Sequence, residues 1–124
     1  MSLLLVVSIG VAGGVGSGLR YVTDNMLPGR LRARFPWGTA TVNLIGSLIL
    51  GIIVGLSTTV LPEPWVTILG TGLIGGYTTF STASLETVRL LHDRRYRSAA
   101  LNGLGILIAC IALAFAGFAA TRWL

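Results

Sequence analysis

Four apolar segments, at about 3–22, 37–57, 65–88 and 98–121, leave little of this 124-residue chain outside them. Each is near the roughly 20 residues a helix needs to cross a hydrocarbon core, and the connections are short. A segment in lipid must satisfy its own backbone hydrogen bonds, since no water is there to do so. The chain therefore reads as an all-α membrane protein, a single four-helix transmembrane domain over 1–124 with no room for a soluble one. Composition agrees, with 53% hydrophobic and only 10% charged residues, where a soluble domain carries about a quarter charged. Residues 3–9 have the look of a signal-peptide core. No basic residue precedes them and the glycine pattern continues to Gly18, so they are read as part of the first span.

The third segment holds the most unusual stretch, Gly75-Gly76-Tyr77-Thr78-Thr79-Phe80-Ser81-Thr82-Ala83-Ser84. Thr78, Thr79, Ser81, Thr82 and Ser84 put five hydroxyls within seven positions, directly after a glycine pair. A spanning helix is interrupted only where the break is buried in protein, binds an ion or lines a wet cavity. The third helix is accordingly expected to break near its middle. One account is a glycine kink with hydroxyls bonded back to the helix. The other, favoured by the density of hydroxyls, is an ion site at the membrane midplane. Asn43 is a full amide inside the second segment and needs a partner or water; structural and functional roles for it weigh evenly. Phe80 reads either as a core side chain or as a pore residue beside the hydroxyls.

The arginines set the expected topology. Arg20, Arg30, Arg32, Arg34, Arg89, Arg94, Arg95 and Arg97 all fall on one side, and only Arg122 on the other. Cytoplasmic loops carry the basic excess. Loop 1 (about 23–36) and loop 3 (around 92–97) should thus be inside, with both termini external and loop 2 (58–64) outside. The net charge of +5 reports this topology and not nucleic-acid binding. Tyr21, Phe35, Trp37, Trp65, Tyr96 and Trp123 flank the spans as interface anchors against membrane lipid. Gly10, Gly14 and Gly18, and Asn43, Ser47, Gly51 and Gly55, repeat every four residues, as close helix packing in lipid requires.

No enzyme is expected. His92 is the only histidine and Cys110 the only cysteine, a small packing residue inside the last span. No transition-metal cluster, P-loop, carboxylate pair or nucleophile triad can be assembled. A proton-coupled drug antiporter normally needs a membrane-embedded carboxylate. The first span has none, and Glu86 is expected to pair with Arg89 one turn on.

With these residues in hand, the chain resembles the Fluc (CrcB) family of fluoride channels over nearly its whole length. Gly16-Ser17-Gly18-Leu19-Arg20-Tyr21 is similar to the end of that family's first helix. Phe35-Pro36-Trp37-Gly38-Thr39 and Val42-Asn43-Leu44-Ile45-Gly46-Ser47 are similar to its second, and 75–82 to its third-helix break. The resemblance implies an antiparallel dimer of four-helix subunits, two fluoride pathways and a central structural sodium ion that is not transported. It implies backbone carbonyls at Gly75 and Thr78 as sodium ligands, and Asn43, Thr79, Phe80, Ser81 and Ser84 along the fluoride pathway. Amides and hydroxyls can replace the water of a small anion without a fixed charge that would trap it, and phenylalanine ring edges are electropositive. The function expected is export of cytoplasmic fluoride across the plasma membrane.

Two departures qualify the resemblance. Ala83 stands where the family has a second phenylalanine, and Ile106 interrupts the fourth-helix track of Ser98, Asn102 and Cys110. A second reading follows, a largely structural subunit whose partner supplies the main pore. The strong arginine bias points to a single orientation. An antiparallel partner should then be a different, oppositely biased chain. Gly75→Val is expected to disturb the break through unusual backbone angles at Gly75.

Overall fold

The computed structural model describes residues 2–124 as helices joined by short turns. The first span, Leu3–Met26, is capped by Ser2, whose Oγ accepts the Leu5 amide at 3.1 Å. It runs four residues past its expected end, to Met26. A short helix, Gly29–Arg34, fills most of what remained of loop 1. The second span, Trp37–Ser57, has the expected bounds. The third segment is two arms. An upper arm, 63–77, begins with Pro64 in its first turn and is π-helical over Thr67–Ile74; a lower arm is Ser81–His92. Residues 78–80 between them are not helical, which is the expected break. The fourth span, Tyr96–Thr121, contains a π-helical turn at Leu101–Gly105. Leu3–Met26, Trp37–Ser57 and Tyr96–Thr121 are each long and apolar enough to cross a membrane. The third segment reaches that length only as two arms together.

Two seams hold the helices together. The second and fourth spans pack along their length, and the first span packs on the upper arm. Both seams need missing side chains. A Cβ on Gly51 would strike the backbone of Ala114, and one on Gly117 the backbone of Leu48 and Ile52. On the other seam, Gly16 meets Leu73 and Tyr77, and Gly76 meets Gly13. The four-residue glycine repeat of the first span does something else. Gly10, Gly14 and Gly18 are exposed and have no neighbour within 4 Å of a Cβ position. The expected packing role falls to Gly13 and Gly16; the repeat itself lies on the outer face.

Loops 1 and 3 share one end of the helix bundle, where an Arg95 guanidinium nitrogen donates to the Arg34 carbonyl. Loop 2 shares the other with the C-terminal residues, where Thr58 Oγ1 donates to the Arg122 carbonyl at 3.3 Å. Loop 3 is only 93–95, since His92 ends one helix and Tyr96 begins the next. The lower arm closes with Arg94 in the left-handed region at φ 58. The Arg94 amide donates to Leu91 and the Arg95 amide to Leu90, the paired closure usually made with glycine.

Three local expectations change. Phe35 is no interface anchor: it is 7% exposed, with its ring 4.8 Å from that of Trp37. The Gly75 backbone is ordinary α-helix, φ −59 and ψ −39, and no described glycine has positive φ. The Glu86–Arg89 pair is not formed: among the described residues the only ion pair is Arg32–Asp24 at 3.5 Å. Arg89 is exposed, as a long cationic side chain near a helix end prefers, while Glu86 Oε1 is buried without a hydrogen bond.

Candidate functional site

The break is where the backbone ladder stops and side chains take over. Thr78 is extended, at φ −87 and ψ 164. Its amide and its hydroxyl both still donate to the Ile74 carbonyl, each at 2.9 Å. The next amide, of Thr79, would continue the helix by donating to Gly75. It donates instead to Asn43 Oδ1 at 2.8 Å, and Asn43 Nδ2 donates to the Thr79 carbonyl at 2.8 Å. One side-chain amide thus replaces a peptide group as both acceptor and donor, and the Gly75 carbonyl is released from the ladder. The first span supplies two further contacts. Arg20 Nη1 donates to the Thr78 carbonyl at 3.2 Å, and Ser17 Oγ donates to the Gly76 carbonyl at 3.4 Å. Buried Tyr77 anchors the upper arm, its hydroxyl 3.0 Å from Thr23 Oγ1. Buried backbone groups in lipid need such partners, and here they come from two other spans.

The lower arm starts from Thr79, whose Oγ1 accepts the Thr82 amide at 3.2 Å, a side-chain cap of the kind that satisfies a helix start. Ser84 Oγ donates back to Phe80 at 2.9 Å and Thr87 Oγ1 to Ala83 at 2.8 Å. The back-bonded hydroxyls that one sequence account expected are therefore present, alongside a real break.

Two grooves flank the break. One, of about 280 Å³, lies between the second span, the break and the fourth span, and includes Asn43, Thr79, Phe80, Ser84, Ala83 and Ile106. The other, of about 390 Å³, lies toward the first span and includes Ser17, Arg20, Asp24, Thr39, Thr79 and Thr82. Thr79 lines both. Phe80 is 85% exposed, so it is not a core side chain of this chain.

Of the pathway residues expected from sequence, Asn43, Thr79, Phe80 and Ser84 meet in the first groove. Ser81 is exposed and lines neither groove; its hydroxyl lies 3.4 Å from Thr79 Oγ1. Thr78 lines the first groove, whereas Gly75 is exposed and outside it. Sequence reasoning missed four participants. Arg20 was read as topology, although a charge inside an apolar helix is a signal in itself. Ser17 and Thr87 have no role in that reading, and Asn102 appears there only as part of the fourth-helix track. Asn102 is 4% exposed and donates to Thr87 Oγ1 at 2.9 Å and to the Ala83 carbonyl at 3.3 Å, tying the fourth span to the lower arm.

Comparison with known proteins decides the family. Residues 7–118 match the family described as CrcB-like protein, Camphor Resistance (CrcB). The chain belongs to the CrcB family. A relative from Leifsonia xyli subsp. xyli, named Fluoride-specific ion channel FluC 1, is 46% identical over 118 residues, covering 94% of this chain and 86% of the relative. Fluoride-specific ion channel FluC 2 of Mycobacterium bovis is 40% identical over 99% of this chain and 94% of its own length. Fluoride-specific ion channel FluC of Geobacter metallireducens is 37% identical over 98% of this chain and all of its own. In this CrcB chain the matched region contains the break, both grooves and all four residues that staple or cap the break: Ser17, Arg20, Asn43 and Thr79.

Proposed function

We propose that this chain is a subunit of a fluoride-specific channel that lets cytoplasmic fluoride leave the cell across the plasma membrane. The observation that carries the reading is Phe80, an aromatic ring 85% exposed beside a polar break where two grooves approach Thr79. An exposed ring edge at mid-span suits an anion, and the family relatives bear the fluoride-channel name. The hydroxyls of Ser84 and Thr87 donate inward, to Phe80 and Ala83. To greet an anion they must rotate, which a hydroxyl does readily. The second N–H of the Asn43 amide is the donor that needs no such rotation.

The subunit is half of an antiparallel dimer, with an oppositely oriented homologue as partner. The eight-to-one arginine bias supports a fixed orientation, loops 1 and 3 cytoplasmic and both termini external. The bare Gly10, Gly14 and Gly18 face offers a helix-sized contact of small residues. Names numbered FluC 1 and FluC 2 among the relatives agree with paired chains.

The break also fits a structural sodium ion. A hard cation takes oxygen ligands, and broken helices supply them as carbonyls. The Gly75 carbonyl has lost its ladder donor and sits at an exposed position; the Thr78 carbonyl keeps a second lone pair beyond the Arg20 contact. When bound, such an ion supplies positive charge that joins the two subunits.

A second reading has its own observation. Ala83 and Ile106 both line the first groove and make part of it apolar, which suits a subunit that mainly completes the dimer while its partner carries the conducting path. Fluoride efflux from liposomes separates the outcomes. This chain alone should give little efflux, and co-reconstitution with an oppositely biased relative should give robust efflux. Full efflux from this chain alone would replace the heterodimer by a homodimer; no efflux in either case would end the channel reading.

A further inference from the structure

We infer that Arg20 is the break's own resident cation, and that its charge weakens the hold of this subunit on the structural ion. The inference rests on the sodium site proposed above.

The carbonyls at the break differ in their partners. The Thr79 carbonyl is met by the neutral amide of Asn43 and the Gly76 carbonyl by the neutral hydroxyl of Ser17. Gly75 has lost its helical donor because the Thr79 amide turns to Asn43. Only the Thr78 carbonyl is met by a charged group, Arg20 Nη1 at 3.2 Å.

Arg20 itself has few alternatives. It is half-buried, and among the described residues the only ion pair joins Arg32 to Asp24. An arginine in such a setting pairs with a carboxylate or with backbone carbonyls. The break provides the carbonyl that an intact helix would have kept in its ladder, so each satisfies the other. The break can thus hold its shape in a subunit that has not yet met a partner or an ion.

The same contact has a cost once a cation arrives. An ion on the second lone pair of the Thr78 oxygen lies a few ångströms from a guanidinium, and like charges at such range disfavour one another. Asp24 lines the same groove as Arg20 but is engaged with Arg32, which limits its power to cancel that charge. Arg20 is thus a positioning residue, supporting the ligand geometry and setting a ceiling on affinity. If it served only membrane topology, replacing it would leave the sodium response unchanged.

The test is the thermal midpoint of the assembled channel, titrated with sodium at constant ionic strength against choline. Arg20→Gln keeps a donor and removes the charge. It should lower the midpoint without sodium, yet reach half of the sodium-dependent rise at a concentration about fivefold lower or less. Arg20→Lys should stay close to the wild type. Should Arg20→Gln not fold, Thr82→Asp places a carboxylate on the exposed wall of the Arg20 groove and should shift the sodium response the same way. A wild type that responds to sodium, with a half-rise concentration unchanged or higher in these variants, overturns the role of Arg20 alone. A wild type indifferent to sodium overturns the cation site and this inference together.

Discussion

The seam between the second and fourth spans and the break of the third segment are both close approaches in an apolar chain, made by opposite means. At the seam, Gly51 and Gly117 bring backbone against backbone, and polar ties gather near its end, where Thr121 Oγ1 donates to Ile52 at 3.1 Å and Thr58 Oγ1 to Arg122 at 3.3 Å. Its chemistry is the absence of side chains, as expected where lipid gives no hydrophobic push and contact must come from fit. At the break, the backbone has given up its own bonds and three particular side chains, Ser17, Arg20 and Asn43, supply replacements. The first arrangement tolerates nothing larger than hydrogen; the second tolerates nothing less polar than what is there. A chain can therefore be closely packed along most of its length and still keep a few unladdered peptide groups at one break.

Asn43→Leu should break this contrast most severely. It strands both the amide and the carbonyl of Thr79, and each buried unsatisfied group costs about 1–3 kcal/mol, so a loss of about 2–6 kcal/mol in reversible unfolding is expected. A variant as stable as the wild type would mean that water or a rewound helix replaces the asparagine. Next comes Gly51→Val at the seam, where overpacking against Ala114 should remove about 1–3 kcal/mol. Gly75→Ala is its sharpening control. The nearest atom to that Cβ is the Gly70 carbonyl at 3.8 Å, so the subunit should fold unchanged and any loss should appear in dimer formation. Equal damage from both glycine changes would show that backbone freedom, not space, is what the glycine pair provides. The smallest effect is at Arg94, where φ is 58. Arg94→Gly removes the Cβ penalty of a left-handed residue and should stabilise the subunit by about 1 kcal/mol, seen as a raised thermal midpoint.

The sequence made the position of the break legible but not its construction. A glycine pair followed by clustered hydroxyls marked 75–84, and the chain does leave the helix at 78–80. The expected cause, unusual angles at Gly75, was wrong because the residue that departs is Thr78, and of the glycine pair it is Gly76 that packs against the first span, at Gly13. Asn43 was singled out as a buried amide in need of a partner; that its partner is the Thr79 backbone depends on how two spans cross, which periodicity does not encode. The outward glycine repeat is a case of the same kind. Spacing shows that Gly10, Gly14 and Gly18 share a face, but not which neighbour that face meets. Loop ends shifted because Thr23–Met26 and Gly29–Arg34 continue as helix beyond the apolar limit, and hydropathy reports where lipid ends and not where a helix does. The Schellman closure that shortens loop 3 was hidden by arginine at the position where glycine normally announces it.

The central claim is that the exposed ring at the break acts on an ion and not on the fold. Fluoride efflux and thermal midpoint, measured on the same reconstituted preparation of Phe80→Ala with its partner chain, test it most directly. The side chain is 85% exposed, so its loss should change the stability of that preparation by no more than about 0.5 kcal/mol, as surface substitutions do, while efflux through the path it lines falls at least about tenfold, a barrier change of roughly 1.4 kcal/mol. Unchanged efflux, or a fall matched by an equal loss of subunit stability, would contradict the account.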